Sequence, residues 1–126
     1  MRYEPIAGRC GEILEALMSS PSIPSDEGVN FKLRLCAEEI LENIVNYSGS
    51  NWLSVDCRRR DSEFEMEFAD GGIRFDPLKK PDPDLTLSIE ERPIGGLGIF
   101  ICKQMMDTVS YRYEDGQNIT TMSIKI

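Results

Sequence analysis

A carboxylate and a carboxamide stand one helical turn apart in the stretch Leu35-Cys36-Ala37-Glu38-Glu39-Ile40-Leu41-Glu42-Asn43-Ile44-Val45-Asn46-Tyr47-Ser48. At about 100° per residue, Glu39 and Asn43 fall within about 40° of each other, and Asn46 within about 20° of Glu39. At the border between a polar and an apolar helix face, such a pair can share a metal ion or a water molecule. An isolated ExxxN is also the pattern of a solvated glutamate beside a satisfied asparagine. Two glycine clusters further along bear on the choice. In Asp70-Gly71-Gly72-Ile73-Arg74-Phe75-Asp76-Pro77 an acid precedes glycines. Asp70 there can accept a hydrogen bond from a flat donor such as an adenine amino group, with Gly72 leaving room for the ring. The same residues also suit a plain turn. Gly95-Gly96-Leu97-Gly98 leads into an apolar-patterned segment from Ile99. Glycines before a helix N-terminus expose N–H donors that favour anions, so this is a phosphate cradle by mechanism or a bare turn. It is neither a P-loop nor a dinucleotide fingerprint, since no strand leads directly into it.

The elements that must position these residues follow from spacing. From Val29 to Ser48 there is no Gly or Pro, and Leu33, Ala37, Ile40, Leu41, Ile44 and Val45 recur at helical intervals. Asp26 or Ser25 is the expected cap and Gly49 the left-handed stop. An earlier helix is expected over Arg9–Met18 after a short edge strand within Met1–Ile6, with Ser19–Ser25 as the connecting loop. Trp52–Arg58 reads as a strand with Leu53, Val55 and Cys57 on one face. In the next strand Phe64, Met66 and Phe68 alternate with Glu63, Glu65 and Glu67, and the two are expected to form a hairpin across Arg59–Ser62. Lys79–Pro93 has no periodicity and is expected to be a long functional loop. Ile99–Met106 is the third helix, and Thr108–Tyr113 a strand. Asp115-Gly116 is a turn, and Thr120, Met122, Ile124 and Ile126 share one face of a last strand. Hairpin-joined strands with helices on one face predict an α+β two-layer sandwich in one domain, 1–126.

The bulk composition narrows function. With 14 basic against 22 acidic residues the net charge is −8, which argues against a nucleic-acid surface. Arg58-Arg59-Arg60 is the sole basic run and reads as a solvated hairpin end. An acidic chain that holds an anion must use backbone N–H groups, a helix N-terminus and a metal. No histidine is present, which excludes a catalytic or phosphorylated histidine carried on this chain. Cys10, Cys36, Cys57 and Cys102 are too widely spaced for a zinc motif and read as reduced thiols. No apolar run approaches the roughly 20 residues that span a bilayer, and no signal pattern opens the chain. A cytoplasmic protein with no membrane association is expected.

Taken together and in this order, the ExxxN helix and the two glycine clusters resemble the N, G1 and G2 boxes of the Bergerat-type (GHKL) ATP-binding fold, the histidine kinase-like ATPases. The likeness is closest to the anti-sigma-factor serine/threonine kinases. Ala37 to Tyr47 resembles the ExxxN helix of that group, and Asp70-x-Gly72 with Phe75-Asp76-Pro77 its adenine box. Pro81 to Leu85, Glu90 to Phe100 and Lys103 to Asp107 resemble its lid and following helix. The resemblance implies a mixed, mostly antiparallel sheet with a long ATP lid over Lys79–Pro93. It implies that Asn43 holds Mg²⁺ against the ATP phosphates and that Glu39 is the general base or water-positioner. Asp70 would bind the adenine amino group with Gly72 beneath the ring. Gly96, Leu97 and Gly98 would cradle phosphates, and Lys103, Arg92 and Thr121 would be further contacts. The implied activity is ATP–Mg²⁺-dependent phosphorylation of an anti-anti-sigma (STAS-like) partner on a hydroxyl, with control of a sigma factor and a homodimer left open. The alternative is a regulatory module that acts by binding alone. Where many relatives carry a basic residue or histidine, this chain has Tyr47.

Overall fold

The computed structural model describes residues 1–79 and 97–126. In chain order these form β1 (Arg2–Tyr3), α1 (Cys10–Met18), α2 (Glu27–Asn43), β2 (Leu53–Arg60), β3 (Glu63–Asp70), α3 (Leu97–Met105), β4 (Thr108–Glu114) and β5 (Gln117–Lys125). A π-wound turn, Ile44–Ser48, prolongs α2, and a 3₁₀ turn covers Pro77–Lys79. Most of the expected lid, together with Arg92 and Gly96, lies outside the described residues.

Asp26 caps α2, its side chain accepting from the Val29 N–H at 3.0 Å. Acidic residues at this positive helix end are favourable. α2 does not continue as a regular α-helix to Ser48. The Ser48 hydroxyl donates to the Ile44 carbonyl at 2.9 Å, taking an acceptor from the backbone ladder within the widened turn. Gly49, at φ 72°, stops the chain in the left-handed region.

The sheet has the strand order β1-β2-β3-β5-β4. Every hydrogen-bonded pair in it is antiparallel, which corrects the expectation of a mixed sheet. The cause is the connection through α3. That crossover makes β4 run in the same direction as β3, but β5 hairpins back through the Asp115-Gly116 turn into the gap between them. Asp115 and Gly116 take φ of 52° and 76°, as a two-residue hairpin with right-handed strand twist requires.

The alternation in β3 sorts its residues between two environments. Phe64, Met66 and Phe68 are fully buried beneath the helices, with Met122 and Ile124 of β5 beside them. Leu33, Ala37, Ile40 and Leu41 of α2, Ile13 and Leu17 of α1, and Cys102 and Met106 around the end of α3 complete this core. Burying each large apolar side chain contributes about 1.5–3 kcal/mol. The opposite sheet face carries charge instead. Glu67 on β3 accepts from Arg58 of β2 at 2.7 Å and from Arg112 of β4 at 2.9 Å, and Arg58 also reaches Glu65 at 3.0 Å. The basic run is thereby partly neutralised by the sheet itself.

Burial by itself would raise the Glu67 pKa, but the hydrogen bonds and charges of Arg112 and Arg58 override it and hold the carboxyl below its ordinary value. A depressed carboxyl stabilises the fold fully above its unfolded pKa of about 4.3, and that stabilisation is lost as pH falls through the folded value. Glu67→Gln is expected to lower stability by about 1 kcal/mol at pH 7, a modest figure because both guanidiniums stand half in water. In urea melts the difference from the parent chain should shrink as the buffer is taken below pH 4.3.

Candidate functional site

α2 packs its apolar stripe on the same sheet face that carries Asp70, so its border residues overlook one end of β3. Asn43 Nδ2 donates to Glu39 Oε1 at 3.3 Å, which joins the two across one turn. Both are half-buried, whereas Glu38 and Glu42 on either side are exposed. The first turn of α3 meets this pair directly. A Cβ built on Gly98 would overlap the Glu39 carboxylate, so only glycine lets α3 approach α2 this closely. Together Glu39, Asn43, Gly98, Cys36 and Cys102 line a cleft of about 480 Å³, within the usual range for small-molecule sites. At its floor the Cys102 thiol donates to the Cys36 carbonyl at 4.0 Å. Its hydrogen bond with the Cys36 sulfur, then burial and the charge of Glu39, push the Cys102 pKa well up, so it stays a neutral thiol.

Asn43 also lines a second, smaller cavity, with Ile44, Ser48, Asp70, Phe75 and Thr120. Asp70 is 2% exposed there. Its Oδ1 accepts from the Gly72 N–H at 2.9 Å and from Asn118 Nδ2 at 3.1 Å. Oδ2 takes no hydrogen bond among the described residues, so it can serve an incoming donor. Tyr47 stacks on Phe75 with ring centres 5.2 Å apart, at the edge of this region. Asn43 thus forms a shared wall between a polar cleft and a narrow cavity of about 10 Å³ beside Asp70.

Gly72 is needed for a reason other than the expected one. A Cβ at this position would run into the Ser48 carbonyl, and the next residue, Ile73, donates its N–H to that carbonyl at 2.8 Å. The glycine makes room for the end of α2. Leu97 opens α3, and the early N–H groups of a helix have no partner within it. Lys103, on the last turn of α3, is not among the residues that line either cavity.

Thr121 is the expectation that the geometry corrects. It pairs with Glu67 and Ser110 and so shares the charged outer face of the sheet. Its neighbour Thr120, opposite Phe68, is buried and lines the small cavity. Side chains alternate along a strand, so one step of register moves the whole set across the sheet. Asn118, two residues earlier, faces inward as well and was missed. Its only signal in the sequence is the period of two that it shares with Thr120 and Met122.

A magnesium ion finds a suitable donor set here. With Nδ2 bonded to Glu39, Asn43 keeps its carbonyl Oδ1 for a hard cation, and Glu39 offers carboxylate oxygens nearby. Among the described residues no three His, Cys, Asp or Glu side chains come together as a metal cage. Magnesium typically takes only one or two protein ligands and fills the rest with phosphate oxygens and water.

Gly98→Ala separates fold from site. Alanine is about 1 kcal/mol better than glycine inside a helix, so the melting temperature should hold or rise slightly. Glu39 must swing aside, and any activity that depends on the Glu39–Asn43 pair should fall at least about tenfold in a steady-state assay.

Comparison with known proteins agrees with this geometry. The family model for the histidine kinase-like ATPase domain matches residues 8–124. A serine/threonine-protein kinase of Bordetella bronchiseptica, BtrW, is 30% identical over 99 residues, covering 75% of this chain and 70% of the relative. The chain belongs to the histidine kinase-like ATPase family.

Proposed function

We propose that this domain is an ATP–Mg²⁺-dependent protein serine/threonine kinase of the anti-sigma type. Its substrate is a hydroxyl on an anti-anti-sigma, STAS-like partner, and through that partner it regulates a sigma factor. The observation that carries the reading is the shared wall at Asn43, with Glu39 and Gly98 on one side and Asp70 on the other. The likeness to a named serine/threonine kinase supports the direction of the chemistry.

In this reading the cavity beside Asp70, about 10 Å³ when empty, widens to admit adenine, whose amino group donates to Asp70 Oδ2. Phosphates lie in the larger cleft, toward the backbone N–H groups of Leu97 and Gly98 at the positive end of α3. Asn43 Oδ1 would hold Mg²⁺, which when bound would neutralise charge on the phosphate oxygens. Glu39 has Oε1 bonded to Asn43 and uses Oε2 to accept the proton of the attacking hydroxyl. The hydroxyl oxygen bonds to the γ-phosphorus, the bond to the β–γ bridging oxygen breaks, and ADP leaves. Phosphoryl transfer asks the protein for positioning and charge more than for covalent chemistry, and this site offers both.

Incubation of the chain with labelled ATP, Mg²⁺ and STAS-like proteins should move label onto a partner. Glu39→Gln should keep ATP affinity within about twofold and lower transfer by about 10²–10⁴-fold; undiminished transfer removes Glu39 from the base role. Asp70→Asn turns an acceptor into a donor and should weaken ATP binding at least about tenfold by calorimetry. A wild-type chain that binds ATP but labels no partner would favour a module acting by binding alone.

A further inference from the structure

Asn118 is 3% exposed and sits on β5 directly opposite Asp70 of β3. Its Nδ2 donates to Asp70 Oδ1 at 3.1 Å and to the Ile73 carbonyl at 2.8 Å. Its Oδ1 accepts from the Phe75 N–H at 2.9 Å and from the Tyr111 hydroxyl at 2.5 Å. An asparagine amide has two donor hydrogens and two acceptor lone pairs. All four are used inside the protein, so Asn118 has nothing left for a ligand and acts on its neighbours.

The orientation of this amide is dictated by those neighbours. The Phe75 N–H can only donate, so the atom facing it must be Oδ1, and the NH₂ must then face Asp70. Burial raises the pKa of the Tyr111 hydroxyl, which keeps it protonated as a second donor to Oδ1. With the amide pinned this way, Asp70 meets only donors among the described residues: Asn118 Nδ2 and the Gly72 N–H, both at Oδ1. The carboxylate cannot rotate without breaking both bonds, and its other oxygen points its lone pairs at whatever enters the slot. We propose that Asn118 is a positioning residue of the base pocket, holding Asp70 as a pure acceptor so that the site selects a 6-amino purine over a 6-oxo purine. This rests on the assignment of Asp70 to base recognition under the proposed function. A 6-oxo purine would set its carbonyl against the carboxylate, two acceptors face to face, and leave both unpaired.

The test is the ratio of affinities for ATP and inosine triphosphate, measured by calorimetry with Mg²⁺ on the whole chain. Inosine differs from adenine at the 6-position in the sense required. The wild-type chain should prefer ATP by at least about tenfold. Asn118→Leu, close in volume but without the amide, should cut that ratio by about tenfold while affinity for inosine triphosphate changes little. A merely structural role would lower both affinities together, and that result, or an unchanged ratio, overturns the proposal while leaving Asp70 in place. Should the leucine variant fail to fold, Tyr111→Phe decides. Removing one of the two donors that pin Oδ1 should lower the ratio about threefold, and an unchanged ratio overturns the proposal. A wild-type chain that binds ATP and inosine triphosphate equally overturns both this inference and the base-pocket reading beneath it.

Discussion

The contact between the Glu39 carboxylate and the backbone of Gly98 is the constraint around which the helical layer is arranged. Glu39 can keep this position at this helix separation only where the facing residue lacks a side chain. What drives the two helices together is the apolar surface below, where Ala37 and Ile40 of α2 and Cys102 of α3 are buried in one cluster. The core therefore brings a charged group against a helix start that it could not reach from an ordinary packing distance. An acid at such a place repels phosphate, yet the same helix start attracts it. A cation held beside the acid would reconcile the two, and the donor set of Glu39 and Asn43 suits one.

The other half of the site depends on the sheet. Asp70 ends β3 and Asn118 begins β5, and the antiparallel register sets them side by side across 48 residues of chain. The loop after β3 is then drawn in by bonds from Ile73 and Phe75 to the same asparagine. A polar network buried in a low-dielectric setting rigidifies what it joins when every member is satisfied. Asn118 has all four of its hydrogen-bonding positions filled, and Asp70 is held through Oδ1.

Much of this was legible in the sequence, for identifiable reasons. The alternation Phe64-Glu65-Met66-Glu67-Phe68 is unambiguous because one sheet face is fully covered and the other carries ion pairs. The ExxxN spacing and the glycine before α3 were visible because local geometry alone places them. Thr120 and Thr121 are alike in type, yet the alternation that sets Thr120 with Met122 and Ile124 already puts Thr121 on the other face, and the pairing with Phe68 and Glu67 agrees. Asn118 carried only the period of two that it shares with Thr120 and Met122, since its partners come from β3, from the loop after it and from β4. The antiparallel sheet likewise depended on β5 entering between its neighbours, a topological fact that no single segment contains. The π-wound turn at Ile44–Ser48 escaped notice because its apolar spacing still reads as helix.

Ser48 gives that turn a wider meaning. Its hydroxyl holds the Ile44 carbonyl and receives the Ser50 N–H at 3.2 Å, while its own carbonyl is held by Ile73. The end of α2 and the strand-end loop are thereby riveted into one mechanical piece. Any tilt of the helix that shifts the acid and amide must drag the base slot with it. The two ends of a bound nucleotide would then sense each other through the protein and not only through their own sugar. The Ile73 amide proton, sealed at the rivet, can exchange with solvent only when that joint opens, so its exchange lifetime would gauge how firmly the joint is closed.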